Sequence, residues 1–190
     1  PDFFAITKAF HNALQGGHYG LGKAEQDRYL KVNERSAKAL GNDYDLYIVH
    51  DPQPAAIRHF AGSRGTKWMW RCHIDSSAPD KDVGHLLRPF LEEYEAVVFT
   101  MDQFVLPQLA SKRIAFIAPA IDPLATKNME LPADLCRRVI ADSGVDPVRP
   151  LLLQVSRFDP WKDPLGVVHA YRLVKEDLPA VQFVLIGAMA

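Results

Sequence analysis

Val155-Ser156-Arg157-Phe158-Asp159-Pro160-Trp161-Lys162-Asp163-Pro164 joins an apolar run to a helix start and places two cations in the join. Leu151-Leu152-Leu153-Gln154-Val155 before it reads as a buried strand. Asp163 is a helix N-cap, and Pro164 pre-sets the first turn. Beyond it Val167, Tyr171, Val174 and Leu178 recur at spacings of four, three and four, and Pro179 stops the helix before the run from Val181 to Ile186. Residues 151–186 are therefore one βαβ unit with parallel strands, and such units are right-handed almost without exception.

Working outward, Leu46 to Val49, Trp68 to Cys72, Ala96 to Phe99 and Ile114 to Ala118 are further apolar runs that alternate with helical patterns. That alternation predicts an α/β protein with parallel sheets wrapped by helices. The segment from Ala24 to Leu40 predicts a surface helix with Tyr29, Val32, Ser36 and Leu40 on one face. Glu92, Glu93 and Glu95 follow a helix over Leu86 to Leu91 and read as its solvated face. Between the fourth and fifth runs Pro119, Pro123, Pro132, Pro147 and Pro150 punctuate a polar helix from about Leu131 to Ser143. This Pro-rich crossing predicts two sheets, in domains at 1–128 and 129–190; one continuous sheet with a long excursion is the alternative. The chain opens without Met inside a helical pattern and stops where a strand reaches its edge, so a piece of something longer, incomplete at both ends, is expected.

With 190 residues, 48% hydrophobic content and a net charge of −1, the chain has material for a real core and no basic stripe for nucleic acid. No apolar run is long enough to span a bilayer and no signal-peptide pattern is present, which makes a cytoplasmic location the default. Cys72 and Cys136 lie far apart without metal spacing, and free buried thiols in a reducing compartment are expected. The seven His residues form no ligand cluster, so no metal site is expected.

The carboxyl edge of a parallel sheet is where ligands bind, and a helix N-terminus adds partial positive charge. Arg157 and Lys162 sit at such an edge. A planar bidentate donor and a compact point charge together suit the two phosphoryl groups of a nucleoside diphosphate. Surface cations are the plain alternative, against which stand the loop's Trp161 and its flanking prolines. The first run likewise delivers His50, Asp51 and Gln53 to an edge, where a carboxylate and an amide can hydrogen-bond sugar hydroxyls. Alone, Asp51 reads better as an Asx-turn before Pro52. The second run ends in His73. Three strands that all deliver polar residues to their carboxyl ends outweigh each member alone.

Ser156-Arg157-Phe158-Asp159-Pro160-Trp161-Lys162, His50-Asp51-Pro52-Gln53-Pro54 and Arg71-Cys72-His73-Ile74-Asp75 together resemble the retaining, nucleotide-sugar-dependent glycosyltransferases of the GT-B fold. The stretches Phe3 to Gly16, Ala118-Pro119-Ala120-Ile121-Asp122-Pro123-Leu124 and Lys127-Asn128 narrow the resemblance to the trehalose glycosyltransferring synthases. The resemblance implies two Rossmann-like domains, an acceptor domain first and a nucleotide-sugar domain second. It implies Arg157 and Lys162 on the diphosphate, His73 beside the transferred glucose, and Asp51, with Gln53 and His50, toward the acceptor. The implied reaction joins nucleoside-diphosphate glucose to glucose, giving trehalose without a tightly bound cofactor, although Mg2+ could accompany the nucleotide. The family's glycine-rich loop and later Glu pair have no counterpart here. A sucrose-, glycogen- or lipid-directed glycosyltransferase is the runner-up; a non-catalytic nucleotide-sugar-binding piece, stable as a homodimer that covers its sheet edges, is the other reading.

Overall fold

The computed structural model describes residues 2–110 and 113–188. The chain divides into two compact units, residues 1–121 and 122–190.

In the first unit β1 (Leu46–His50), β2 (Lys67–Arg71), β3 (Ala96–Phe99) and β4 (Ile114–Phe116) form a parallel sheet in sequence order. Side chains two apart along a strand share a face. Tyr47, Val49, Trp68, Trp70, Val97 and Phe99 are accordingly all buried on one face, whereas Leu46 and Ile48 on the other are about half exposed. The buried face packs with α1 (Asp2–Leu14), α2 (Lys23–Ala39), α3 (Ile57–Ala61) and α4 (Lys81–Leu91), and Phe10, Tyr29, Leu87, Leu91 and Tyr94 complete the core. The Tyr47 and Trp68 rings stack there with centroids 4.1 Å apart.

Two expectations are corrected. The buried stripe of α2 is Tyr29, Asn33 and Ala37, while Ser36 is exposed. An Asn at the centre of the stripe hides the pattern, and it is tolerated because its amide donates to the carbonyls of Tyr29 and Gln53. Nor are Glu92, Glu93 and Glu95 a solvated helix face, since α4 ends at Leu91. Glu95 accepts from the Trp68 N–H at 2.8 Å and pairs with Arg58, Glu93 bonds His59 at 2.6 Å, and Glu92 accepts from the Ala110 N–H. These carboxylates tie the turn after α4 to α3 and β2.

Asp80 caps α4 by accepting from the Asp82 and Val83 N–H groups, and its other oxygen receives the Tyr19 N–H and faces His18 at 3.2 Å. Burial opposes its ionisation, but the donors outweigh burial and hold the carboxyl below its ordinary pKa. A depressed folded pKa gives stability that is complete above the unfolded value and is lost as pH falls through the folded one. Asp80→Ala is expected to cost about 1 kcal/mol at neutral pH. Thermal unfolding of both forms across an acid series should show that difference shrinking below the usual carboxylate range; a constant difference would refute the assignment.

In the second unit β5 (Leu151–Val155) and β6 (Gln182–Ile186) pair in parallel, from Leu151 opposite Gln182 to Val155 opposite Ile186. A shorter helix, α5 (Ala133–Asp142), precedes them. Between them runs α6 (Pro164–Asp177), with Pro164 in its first turn and Asp163 accepting from the Gly166 N–H at 3.0 Å. Val167, Tyr171 and Val174 are half-buried, and Tyr171 stacks on Phe183. Leu178 lies past the helix end and is exposed. Gly187 follows β6, and a Cβ there would fall 1.7 Å from the Ser156 carbonyl oxygen, so only glycine permits this approach of the strand ends.

Candidate functional site

At the carboxyl edge of the first sheet, His50, Asp51 and His73 come together. Asp51 has φ +64, a left-handed conformation to which Asp and Asn are better suited than most residues. Three bonds hold it there: its N–H donates to the Arg71 carbonyl at 2.9 Å, its carbonyl accepts from Trp70 Nε1 at 2.9 Å, and Oδ1 accepts from the His73 N–H at 3.0 Å. Asp51 therefore ties the β1 loop to the β2 loop rather than closing an Asx-turn onto its own. Oδ2 receives no hydrogen bond among the described residues. His50 Nδ1 lies 2.8 Å from His73 Nε2, and the two exposed rings meet edge to edge within 12° of coplanar, their centroids 5.1 Å apart.

The loop after Asp51 is anchored from within. Tyr29 donates to the Pro52 carbonyl at 2.8 Å and Tyr94 to the Ala55 carbonyl at 2.9 Å. Burial pushes both phenols far above their ordinary pKa, so each stays a donor at any physiological pH. Gln53 stands apart from the two His residues: with Phe3, Val32, Asn33, Ser36 and Pro54 it lines a separate cavity of about 170 Å³.

Sequence reasoning missed Arg71. Its guanidinium is buried and donates to the Phe99 carbonyl at 2.8 Å and the Ile117 carbonyl at 2.7 Å, bracing the carboxyl ends of β3 and β4. A cation inside an aromatic strand was the available signal, because a buried Arg needs acceptors. Cys72 next to it is buried, and burial pushes its thiol up to about 11, with the Asp51 charge adding in the same direction. That thiol is inert at neutral pH. Cys136 is also free and only half-buried.

In the second unit the loop after β5 is organised by Asp159, a buried carboxylate. One oxygen pairs with Arg157 Nη2 at 3.0 Å, and the other accepts from the Lys162 N–H at 3.2 Å, capping a single turn over Pro160–Lys162. Gln154 in β5 donates to the Lys162 carbonyl at 2.7 Å. Arg157 and Lys162 are thus held by one acid, with their side chains in solvent. Asp159-Pro160 repeats the cap-and-proline signature of Asp163-Pro164, the signal that could have found this role. Gln154 Oε1 and Ser156 Oγ are buried and have no hydrogen-bond partner among the described residues. Among the described residues no group of three or more His, Cys, Asp or Glu could hold a metal ion, and no helix is long and apolar enough to cross a membrane.

Comparison with known proteins bears on both units. Residues 1–106 match the family described as trehalose synthase, N-terminal domain. The chain is 50% identical to the trehalose synthase of Rubrobacter xylanophilus, over 99% of this chain and 46% of that protein. It is 42% identical to the trehalose synthase of Pyrococcus horikoshii, over 100% of this chain and 46% of that protein. It therefore spans about half the length of these relatives. Among solved structures, the UDP-forming α,α-trehalose-phosphate synthase from Burkholderia vietnamiensis matches with TM-score 0.70 and 18% identity, over 100% of this chain and 51% of that one. A structure described as trehalose-6-phosphate from E. coli bound with UDP-2-fluoro glucose matches with TM-score 0.71 and 18% identity, over 100% and 51%. At such identity these likenesses show the fold alone, which is the parallel α/β architecture of the GT-B trehalose-phosphate synthases. The family match, by contrast, covers more than half of the chain, and the chain belongs to the trehalose synthase family, whose N-terminal domain it carries over residues 1–106.

Proposed function

We propose that this chain is part of a retaining glucosyltransferase that makes trehalose from a nucleoside-diphosphate glucose and glucose. The observation that carries the reading is the 50% identity to a trehalose synthase along nearly the whole chain. In this reading residues 1–128 belong to the acceptor domain, and residues 129–190 are a linker helix and the first βαβ unit of the nucleotide-sugar domain. The protein works in the cytoplasm.

The bond between the glucose anomeric carbon and the β-phosphate oxygen breaks, and a bond to the acceptor hydroxyl oxygen forms on the same face. Negative charge develops on the departing diphosphate, where Arg157 and Lys162 stabilise it. The acceptor's proton goes to a diphosphate oxygen, so no protein base is required. His73 stands beside the transferred glucose. Asp51 offers Oδ2 to the acceptor, and Gln53 is a weaker contributor from its own cavity.

Product analysis of the full-length protein carrying this chain tests the reading. Trehalose should form from glucose and a nucleoside-diphosphate glucose; transfer only to fructose, glucan or lipid would defeat it. Asp51→Asn keeps an oxygen for the His73 N–H and tolerates the left-handed backbone, so Tm should hold. Loss of a charge-assisted bond worth roughly 1.5–3 kcal/mol should raise KM for glucose about tenfold or more, and KM for the donor much less. Equal rises in both constants would return Asp51 to a structural role.

A further inference from the structure

We propose that His50 is a positioning residue, which locks His73 in its Nε2–H tautomer and so turns His73 Nδ1 into a hydrogen-bond acceptor for a sugar hydroxyl. This deepens the reading above and rests on it for the identity of the ligand. The inference starts from the 2.8 Å separation of His50 Nδ1 and His73 Nε2. Two neutral imidazoles at that distance share one proton, since one nitrogen must donate and the other accept.

That constraint couples the rings. If His50 Nδ1 carries the inner proton, His73 accepts at Nε2 and must carry its own proton at Nδ1. If His73 Nε2 carries it, His50 accepts at Nδ1 and must carry its own at Nε2. Both residues are therefore Nδ1–H, or both are Nε2–H. An unconstrained neutral histidine favours Nε2–H, and the pair satisfies that preference twice in the second arrangement. His73 Nδ1 and His50 Nε2 bond to none of the described residues, so no other contact pulls toward the first arrangement.

The fixed tautomer matters because the ring is also fixed in place. The His73 backbone is held by Asp51 Oδ1 at 3.0 Å, and its ring is fixed by the 2.8 Å contact to His50, with which it lies within 12° of coplanar. A bare nitrogen held this way can accept from a hydroxyl without first rotating or losing a proton, and such preorganisation favours the reaction over ground-state binding. His50 acts through His73 and need not touch the sugar.

The test uses the full-length protein with nitrogen-15-labelled histidine, in which proton–nitrogen correlations across the ring distinguish the tautomers. His73 should be Nε2–H, with Nδ1 unprotonated. His50→Phe removes the acceptor while keeping a planar ring at the position. It should release His73 into a mixture of tautomers and free its ring to turn, and the lost positioning should lower kcat about tenfold or more, with KM for the nucleotide sugar little changed. His50→Gln restores an acceptor oxygen and should recover both the tautomer and most of the rate. A His73 that is Nδ1–H, or that shows the same tautomer in His50→Phe, overturns the proposal even if trehalose is formed. A locked pair in a protein that makes no trehalose overturns the proposed function and leaves the tautomer lock standing.

Discussion

Replacing Arg157 or Lys162 by Ala in the full-length protein is expected to lower kcat at least about tenfold, because in the proposed reaction each change removes a charge-assisted contact worth roughly 1.5–3 kcal/mol from a site where charge develops. The two losses are not independent. Both residues are anchored to Asp159, Arg157 by an ion pair at 3.0 Å and Lys162 by its backbone N–H at 3.2 Å. They also act on one diphosphate in the proposed reaction, so the double variant should lose less than the sum of the single losses. Steady-state kinetics on the four forms of a double-mutant cycle provide the check. Near-normal kcat and nucleoside-diphosphate affinity in both single variants would make these residues ordinary surface cations.

Trp70→Ala carries the largest effect on stability. The side chain is 1% exposed at the centre of the first sheet, and truncating a buried aromatic of this size costs about 3–5 kcal/mol. Its indole N–H also holds the Asp51 carbonyl, so the change releases the left-handed residue on which the β1 loop turns. Trp70→Phe separates the two roles. Phe fills most of the space but donates nothing, so about 1 kcal/mol should be lost with a selective rise in KM for glucose. If denaturation shows Trp70→Ala within about 1 kcal/mol of the unaltered protein, the core assignment of this strand fails.

The fold was legible where one period ruled a segment. All six apolar runs are strands, and α6 begins at the Asp-Pro pair that announced it. The stripe of α2 was misplaced by one residue because Asn33, a polar side chain, occupies a core position that only its tertiary partners make tolerable. Glu93 and Glu95 were misread for a related reason: their partners His59, Arg58 and Trp68 lie 34, 37 and 27 positions away, beyond the reach of any local pattern. At the candidate site, residue types and their edge positions were visible, and the grouping of His50, Asp51 and His73 followed from the strand ends. What sequence alone could not show is how they touch. The register of β1 on β2 places His50 opposite Arg71, which brings the two loops close enough for the imidazoles to meet.

Asp159 gives the Arg157 loop a property that a bare pair of cations would lack. Two unneutralised positive groups on one short loop repel each other, and without an anion the loop would tend to open. A buried carboxylate that pairs with one cation and caps the turn bearing the other makes the loop nearly self-neutralising and keeps its shape without a bound anion. In the proposed reaction the same acid would compete with an arriving phosphate for the Arg157 guanidinium, which has five N–H donors and can serve both. In the proposed reaction, affinity for the leaving diphosphate would thereby be tempered rather than maximised. A transferase gains from that moderation, because product held too tightly would slow the next cycle as surely as a substrate held too loosely.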